Sequence, residues 1–266
     1  MKGFSILIIV PTLNSYKLLN PLIKSLEMQS FKNWRLLFVD GNSKQKHIDY
    51  LNKISQINEK VFWIKQENKF KGIYGAMNQG ILFAKENDWV MFWGSDDKAA
   101  NIDSLKYISE AFEMTRKIKP YLIFSKCKYF DLVKLEKERD SFFLNNKSNK
   151  FINWRYFATL LFLGASPPHQ GTVFSPESLK NKKIYDENYN IAADLKYFLE
   201  MSFSKKTSIF CMSEVTILIG SGGISSIHIK SKIKQVLKAY FRRFHIFFII
   251  PFIFRYSRKA KSFIGL

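Results

Sequence analysis

Two cysteines in 266 residues, Cys127 and Cys211, are too few for a disulfide framework, and they have no zinc-ligand spacing. A reducing, cytosolic setting is the expectation. No apolar run reaches the roughly eighteen residues that a membrane-spanning helix needs. Residues 1–5 lead straight into a strand-like run, so no secretory signal is expected either. The first half holds no G-x-G-x-x-G and no P-loop, which removes the dinucleotide turn and the NTPase phosphate cradle. Acidic residues are scarce, 22 against 42 Lys and Arg, and after Glu214 there are none.

That imbalance leaves a net charge of +20, for which nucleic acid, an anionic membrane and anionic substrates are the candidate partners. Its position discriminates. The stretch after Glu214 carries Lys230, Lys232, Lys234, Lys238, Arg242, Arg243, Arg255, Arg258, Lys259 and Lys261, about half of the excess. An apolar fraction of 47% is ample for a core, and the length fits one domain or two small ones.

Residues 6–10 form a continuous β-branched and aliphatic run, read as a buried strand. A loop at 11–14 follows, then Leu18, Leu19, Leu22, Ile23 and Leu26 at helical spacing. Residues 34–39 are a second strand ending in the turn Asp40-Gly41-Asn42-Ser43, and Ile48, Leu51 and Ile54 mark a second helix. A strand at 61–64, a helix at 72–85 and a strand at 90–93 complete a βαβαβαβ order. Such alternation predicts a parallel, doubly wound sheet with Thr12, Asn14, Asp40, Asp96 and Asp97 along one edge. The second half is less regular. It offers helices near Leu105 and Phe157, strand-like stretches over 121–133, a polar loop at 136–150, and the proline-fixed turn G-A-S-P-P-H-Q at 164–170. A short strand at 171–174, a helix carrying Asp194 near its start and a last strand at 215–219 follow.

The organising stretch is D-W-V-M-F-W-G-S-D-D, residues 88–97. Its apolar run fits a strand buried on both faces, and its carboxylate pair emerges where ligands bind in open α/β sheets. Adjacent carboxylates at a buried strand's end are costly unless a cation neutralises them. A divalent metal would do so, and a diphosphate would complete its coordination. The alternative is a solvated turn.

With these residues in view, the chain resembles family 2 glycosyltransferases over roughly residues 4 to 225. It looks most like the cytoplasmic enzymes that build bacterial polysaccharides, such as O-antigen, on a lipid carrier. The segments that carry the resemblance are S-I-L-I-I-V-P-T-L-N, L-L-F-V-D-G-N-S, K-G-I-Y-G-A-M-N-Q-G and W-G-S-D-D, with H-Q-G-T-V-F and N-I-A-A-D-L later. It implies a GT-A-type, Rossmann-like, mostly parallel twisted sheet flanked by helices. It also implies inverting transfer from a nucleotide-sugar, UDP-linked, to a polyprenyl-diphosphate-linked saccharide. Pro11, Thr12, Asn14 and Asp40 would frame base and ribose. Gly72, Tyr74 and Asn78 would face the nucleotide-sugar from a helix start, with packing as the alternative for Tyr74. Ser95 and Asp96 would contact the donor, and Asp97 would bind Mn²⁺ or Mg²⁺. Asp194 would be the base; its alternative is a helix N-terminal carboxylate. His169 and Gln170 would line the acceptor side or the metal site, with His228 as another candidate ligand. The chain departs from the family pattern at Gly75, at Asn42-Ser43-Lys44-Gln45 and at Ala193. Those departures bear on donor identity, not on reaction class.

The expected organisation is a catalytic unit over 1–228, with a nucleotide-binding half (1–100) and an acceptor-side half (101–228), and a basic aromatic tail over 229–266. The apolar run 244–254, broken by Pro251, cannot span a bilayer. Basic-aromatic helices of this kind lie in the interface, where Lys and Arg meet anionic lipid. The tail is therefore expected to hold the enzyme peripherally on the inner face of a bacterial cytoplasmic membrane, or to pack on the domain. Two other functions compete. A nucleotidyltransferase would need a Gly-rich basic loop where P-T-L-N-S stands. A nucleic-acid binder would place its cations with aromatics on a sheet face, not beside an apolar tail.

Overall fold

The computed structural model describes residues 4–130, 139–140, 143, 147–204, 208–220 and 229–264. Strands β1 (Ser5–Thr12), β2 (Trp34–Asp40), β3 (Val61–Lys65) and β4 (Asp88–Phe92) run parallel in the spatial order β3-β2-β1-β4. Ile6, Leu7, Ile8, Ile9 and Val10 are all fully buried. They face two layers alternately, so the strand reads as an unbroken apolar run. Leu7 and Ile9 join Leu37, Val39, Val90 and Phe92 on one face, while Ile6, Ile8 and Val10 join Leu36, Phe38 and Met91 on the other.

Helices α1 (Tyr16–Glu27), α2 (Gln45–Ile57) and α3 (Gly72–Ile81) make the crossovers. Leu19, Leu22, Ile23 and Leu26 are the buried stripe of α1, as their spacing predicts. Pro21 sits on the exposed side of this helix, which continues through it. The α3 helix stops at Ile81, four residues short of the expected end.

Past β4 the sheet turns mixed. After β5 (Lys98–Ala99) and α4 (Ser104–Thr115) come β6 (Leu122–Phe130), β7 (Arg139–Asp140), β8 (Lys150–Asn153), α5 (Trp154–Phe162) and β9 (Thr172–Phe174). Then follow α6 (Ala193–Met201) and β10 (Ser208–Gly220). The spatial order continues β4-β9-β6-β10-β5, with β9 antiparallel to both neighbours and β6 parallel to β10. This wedge of antiparallel β9 puts the 164–170 turn next to the end of β4.

The C-terminal stretch is two helices, α7 (Ile229–Phe244) and α8 (Ile249–Ile264), joined by a 3-10 turn at His245–Phe247. The break falls at His245, whose φ is 48°, and not at Pro251. Pro251 lies in the first turn of α8, where a missing N–H is tolerated. Val236, Ala239 and Tyr240 of α7 are buried in the same core cluster as Ala193, Leu195 and Leu199 of α6. The opposite side of the pair is exposed and apolar: Phe241, Ile246, Phe247, Ile249, Ile250, Ile253 and Phe254. Among the described residues no helix is long and apolar enough to cross a membrane.

Candidate active site

The carboxyl ends of β1, β2 and β4 form the floor. Thr12 and Asp40 are register partners at the ends of β1 and β2. Asp40 is fully buried; its Oδ2 accepts the Ser43 N–H at 2.9 Å, and its Oδ1 has no hydrogen-bond partner. His47 Nε2 lies 3.4 Å from Oδ1. Burial lowers the His47 pKa against the pull of Asp40, so the contact is between a neutral imidazole and a carboxylate, not an ion pair. The Thr12 Oγ1 is likewise buried and unpartnered. Asn14, in the left-handed region at φ 53°, bolts the loops after β1 and β2 together. Its N–H donates to Ser43 Oγ at 2.7 Å, and its Oδ1 accepts the Lys44 N–H at 2.8 Å. Ser95 does the same for the loops after β1 and β4, with 2.8 Å between its Oγ and that of Ser15. Pro11 pairs with Val39 as the penultimate residue of β1 and belongs to the strand.

Asp97 is 1% exposed. Its Oδ2 accepts the Gly94 N–H at 2.5 Å, its Oδ1 accepts the Gly220 N–H at 3.1 Å, and the Gln170 side chain donates to it as well. Burial, then the neighbouring charge of Asp96, raises its pKa to about 7 despite these donors. Asp96 Oδ2 is buried with no hydrogen-bond partner. Gly220 closes over it: a Cβ there would lie 2.3 Å from that oxygen. No salt bridge reaches either carboxylate among the described residues, and no group of three His, Cys, Asp or Glu gathers there that could hold a metal. His228 lies outside the described residues.

The opposite wall is α6. Asp194, half-buried in its first turn, has Oδ1 3.0 Å from the Tyr74 hydroxyl, which also lies 3.1 Å from the Ile191 carbonyl. Burial and the Asp194 charge hold the Tyr74 hydroxyl protonated, well above its ordinary pKa. Tyr74 packs on Tyr185, at 5.2 Å between ring centroids. The Tyr185 hydroxyl is 2.6 Å from His169 Nε2, and His169 stacks on Phe92 of β4 at 5.5 Å. Burial lowers the His169 pKa, with Asp194 opposing, so this ring is neutral near pH 7. A continuous chain therefore joins Asp194 to the β4 carboxylates through Tyr74, Tyr185, His169 and Gln170.

Two expected donor contacts lie differently. The Asn78 amide is saturated: Nδ2 donates to the Tyr185 carbonyl (2.9 Å) and Glu187 Oε1 (3.2 Å), and Oδ1 accepts the N–H groups of Ile184 and Tyr185. It braces the 184–187 loop and has no group left for a diphosphate. Gly72 is exposed at φ +64°, and its carbonyl accepts from Gln66 Nε2 at 2.9 Å. The reading of the sequence missed Tyr185 and Gly220, since neither stands in a periodic or motif-like stretch.

The model of the family described as Glycosyl transferase family 2 matches residues 7–159, more than half of the chain. The chain belongs to this family. A PGL/p-HBAD biosynthesis glycosyltransferase of Mycobacterium tuberculosis is 31% identical over 103 residues, 38% of this family 2 chain and 39% of the relative. The match thus spans about two fifths of that relative's length. Among solved structures, S. aureus TarS 1-349 aligns over 97% of this chain and 73% of its own, with TM-score 0.67 and 17% identity. The mannosyltransferase PcManGT of Pyrobaculum calidifontis, in complex with GDP-Man and Mn2+, aligns over 96% and 70%, with TM-score 0.61 and 12% identity. These likenesses show the GT-A-type fold, which the chain adopts.

Proposed function

We propose that this family 2 chain is an inverting transferase. It moves a sugar from a UDP-linked donor to a saccharide on a polyprenyl diphosphate, at an anionic membrane surface. The observation that carries the donor half is a row of polar groups following three adjacent strands: Thr12 Oγ1 and Asp96 Oδ2, buried without hydrogen-bond partners, and Asp40 Oδ1, which has only the His47 ring 3.4 Å away. Unpaired buried acceptors cost free energy unless a ligand supplies donors. A nucleoside offers them as base N–H and ribose hydroxyls. S. aureus TarS has been solved with UDP and with UDP-GlcNAc, which supports the same class of donor.

Asp194 takes the proton from the acceptor hydroxyl as that oxygen bonds to the anomeric carbon from the face opposite the diphosphate. The bond from the anomeric carbon to the donor's phosphate oxygen breaks, and the electron pair leaves with the nucleoside diphosphate. Tyr74, kept protonated, donates to Asp194 and fixes its orientation. The neutral His169 and the Tyr185 hydroxyl, 2.6 Å apart, stand between Asp194 and the β4 carboxylates. The carboxylate pair fits a divalent cation whose remaining ligands come from the donor's diphosphate, because Asp96 Oδ2 is unpartnered and, among the described residues, no salt bridge compensates Asp97. Asp97 and Asp96 would hold Mn²⁺ or Mg²⁺, which supplies positive charge to the departing diphosphate.

The test is Asp194→Asn. Loss of a general base costs about 10²- to 10⁴-fold in rate. We expect that loss in kcat, with donor affinity from thermal shift near the wild-type value. A variant that keeps kcat but loses donor affinity would move the base elsewhere.

A further inference from the structure

Helix α6 carries the candidate base but has no cap of its own. Its N-cap is Ala192, which has no side-chain oxygen. Leu195, at the third helical position, cannot reach back to the N-cap N–H as the Glu or Gln of a capping box would. The missing acceptor comes from α7. Gln235 Oε1 accepts the N–H of Ile191 at 3.0 Å and that of Ala192 at 3.3 Å. Its Nε2 donates to Ser231 Oγ at 3.2 Å, four residues earlier on α7, which fixes the orientation of the amide. Next to Gln235, Val236 is buried in the core cluster that also holds Ala193, Leu195 and Leu199 of α6.

The short stretch that Gln235 grips is also tied to the base from α3. The Tyr74 hydroxyl lies 3.1 Å from the Ile191 carbonyl and 3.0 Å from Asp194 Oδ1. Residue 191 is thus held at its N–H by α7 and at its carbonyl by α3, and the carboxylate stands at the second position of the helix that follows. Loss of the Gln235 oxygen leaves two N–H groups without that acceptor and frees the start of α6 to shift. A general base works only within hydrogen-bond reach of the proton it takes, so a small shift there is felt in the chemical step. We propose that Gln235 is a positioning residue for Asp194: an amide from the C-terminal helices caps α6 and so aims the base at the acceptor hydroxyl. The catalytic unit then extends into 229–244, past the expected boundary at 228. The helix whose outer side carries the exposed Phe241 reaches the base through its inner side. This inference rests on the reading of Asp194 as the base.

The experiment measures the pH profile of kcat in the full chain. The donor is whichever of UDP-glucose, UDP-galactose and their N-acetyl forms wild type turns over fastest, and the acceptor is a water-soluble alkyl glycoside. Donor-site affinity is read from the thermal shift with UDP. Gln235→Met removes the acceptor oxygen at nearly equal length, and Gln235→Asn withdraws it by one methylene while staying polar. Both should lower the kcat plateau about 10- to 100-fold, the order that about 1 Å of misplacement costs, with UDP affinity near wild type. Gln235→Glu keeps an acceptor oxygen and should restore the plateau. Its added negative charge should move the acid limb of the profile to higher pH, as a like charge near a base does. Amide hydrogen exchange over 191–194 should quicken in Gln235→Met and not in Gln235→Glu. Val236→Ala loosens the packing of α7 but leaves the amide in place, so it should melt below wild type and keep its kcat. A wild-type plateau in Gln235→Met or Gln235→Asn overturns the positioning role, and so does a plateau that Gln235→Glu fails to restore. An equal loss of kcat in Val236→Ala overturns it as well, and would assign the effect to the packing of α7. If Asp194→Asn keeps its kcat, the base reading falls and this inference with it. If Asp194→Asn is inactive while the Gln235 variants turn over normally, this inference alone falls.

Discussion

At the scale of the residue, Asp97 shows how burial and function oppose each other. It lies next to another carboxylate, out of water, with only backbone and amide donors for company. Asp97→Asn keeps the shape and one of the two acceptor oxygens while removing the buried charge. We expect its melting temperature at pH 8, in chelator, to equal or exceed that of wild type, while glycosyl transfer is lost. Full activity of the variant would show that the carboxylate is not needed at the diphosphate. His47 gives a pH signature of its own. Burial lowers its folded pKa below the ordinary value near 6.5, so the unfolded chain binds a proton before the folded one does. Its contribution to stability is present above about pH 6.5 and is lost as the pH falls below that value. Melting curves from pH 8 to 5.5 should therefore fall more steeply for wild type than for His47→Gln. Parallel profiles would mean that His47 titrates normally in the fold.

At the scale of the element, two glycines with positive φ separate backbone strain from packing. Gly72, at φ +64°, has open space where a Cβ would stand, and Gly164, at φ +75°, has the backbone of α8 there. Gly72→Ala should cost about 1–2 kcal/mol, the penalty for a left-handed L-residue. Gly164→Ala should cost more by about 1–3 kcal/mol, the overpacking term, because the contact is backbone and cannot turn aside. Chemical denaturation of both variants measures the difference, and equal losses would show that α8 does not press on the 164–170 turn. The same contrast explains what the sequence makes legible. The strands β1, β2 and β4 and the carboxylates at their ends are visible as unbroken apolar runs followed by turn residues, because those strands are covered on both faces. Asp194 stands out through its place in a known pattern. Tyr185 and Gly220 gain their roles from elements far away in the chain, and no local periodicity marks them. The break at His245 is equally silent, since the nearby Pro251 is the residue whose chemistry announces a break and it proves compatible with a first helical turn.

At the scale of the molecule, the C-terminal helices belong to both the core and the surface, and the charge distribution follows that division. Their inner side buries Val236, Ala239 and Tyr240 and holds the N–H groups before α6, so deleting 229–264 should lower the melting temperature as well as any membrane binding. Deletion therefore cannot isolate membrane binding; substitutions on the outer side can. Ile246, Phe247 and Ile253 are 79%, 57% and 58% exposed, and Arg242 and Arg258 are exposed on the same two helices. Burying such side chains in an interface is worth about 25 cal/mol per Å² of apolar area. Each Lys or Arg near an anionic surface adds about 1 kcal/mol, screened over a Debye length. We expect the triple variant Ile246→Ser, Phe247→Ser, Ile253→Ser to melt near the wild-type temperature and to stop sedimenting with vesicles containing anionic lipid. The wild-type protein should bind those vesicles better than neutral ones, and salt should weaken the binding without abolishing it, because the apolar contribution is not screened. Turnover of a water-soluble acceptor should survive in the triple variant. If the variant still sediments with anionic vesicles, the membrane-facing surface lies elsewhere on the molecule. If it melts well below wild type, these side chains are packing residues and the exposed face is not a free surface in solution.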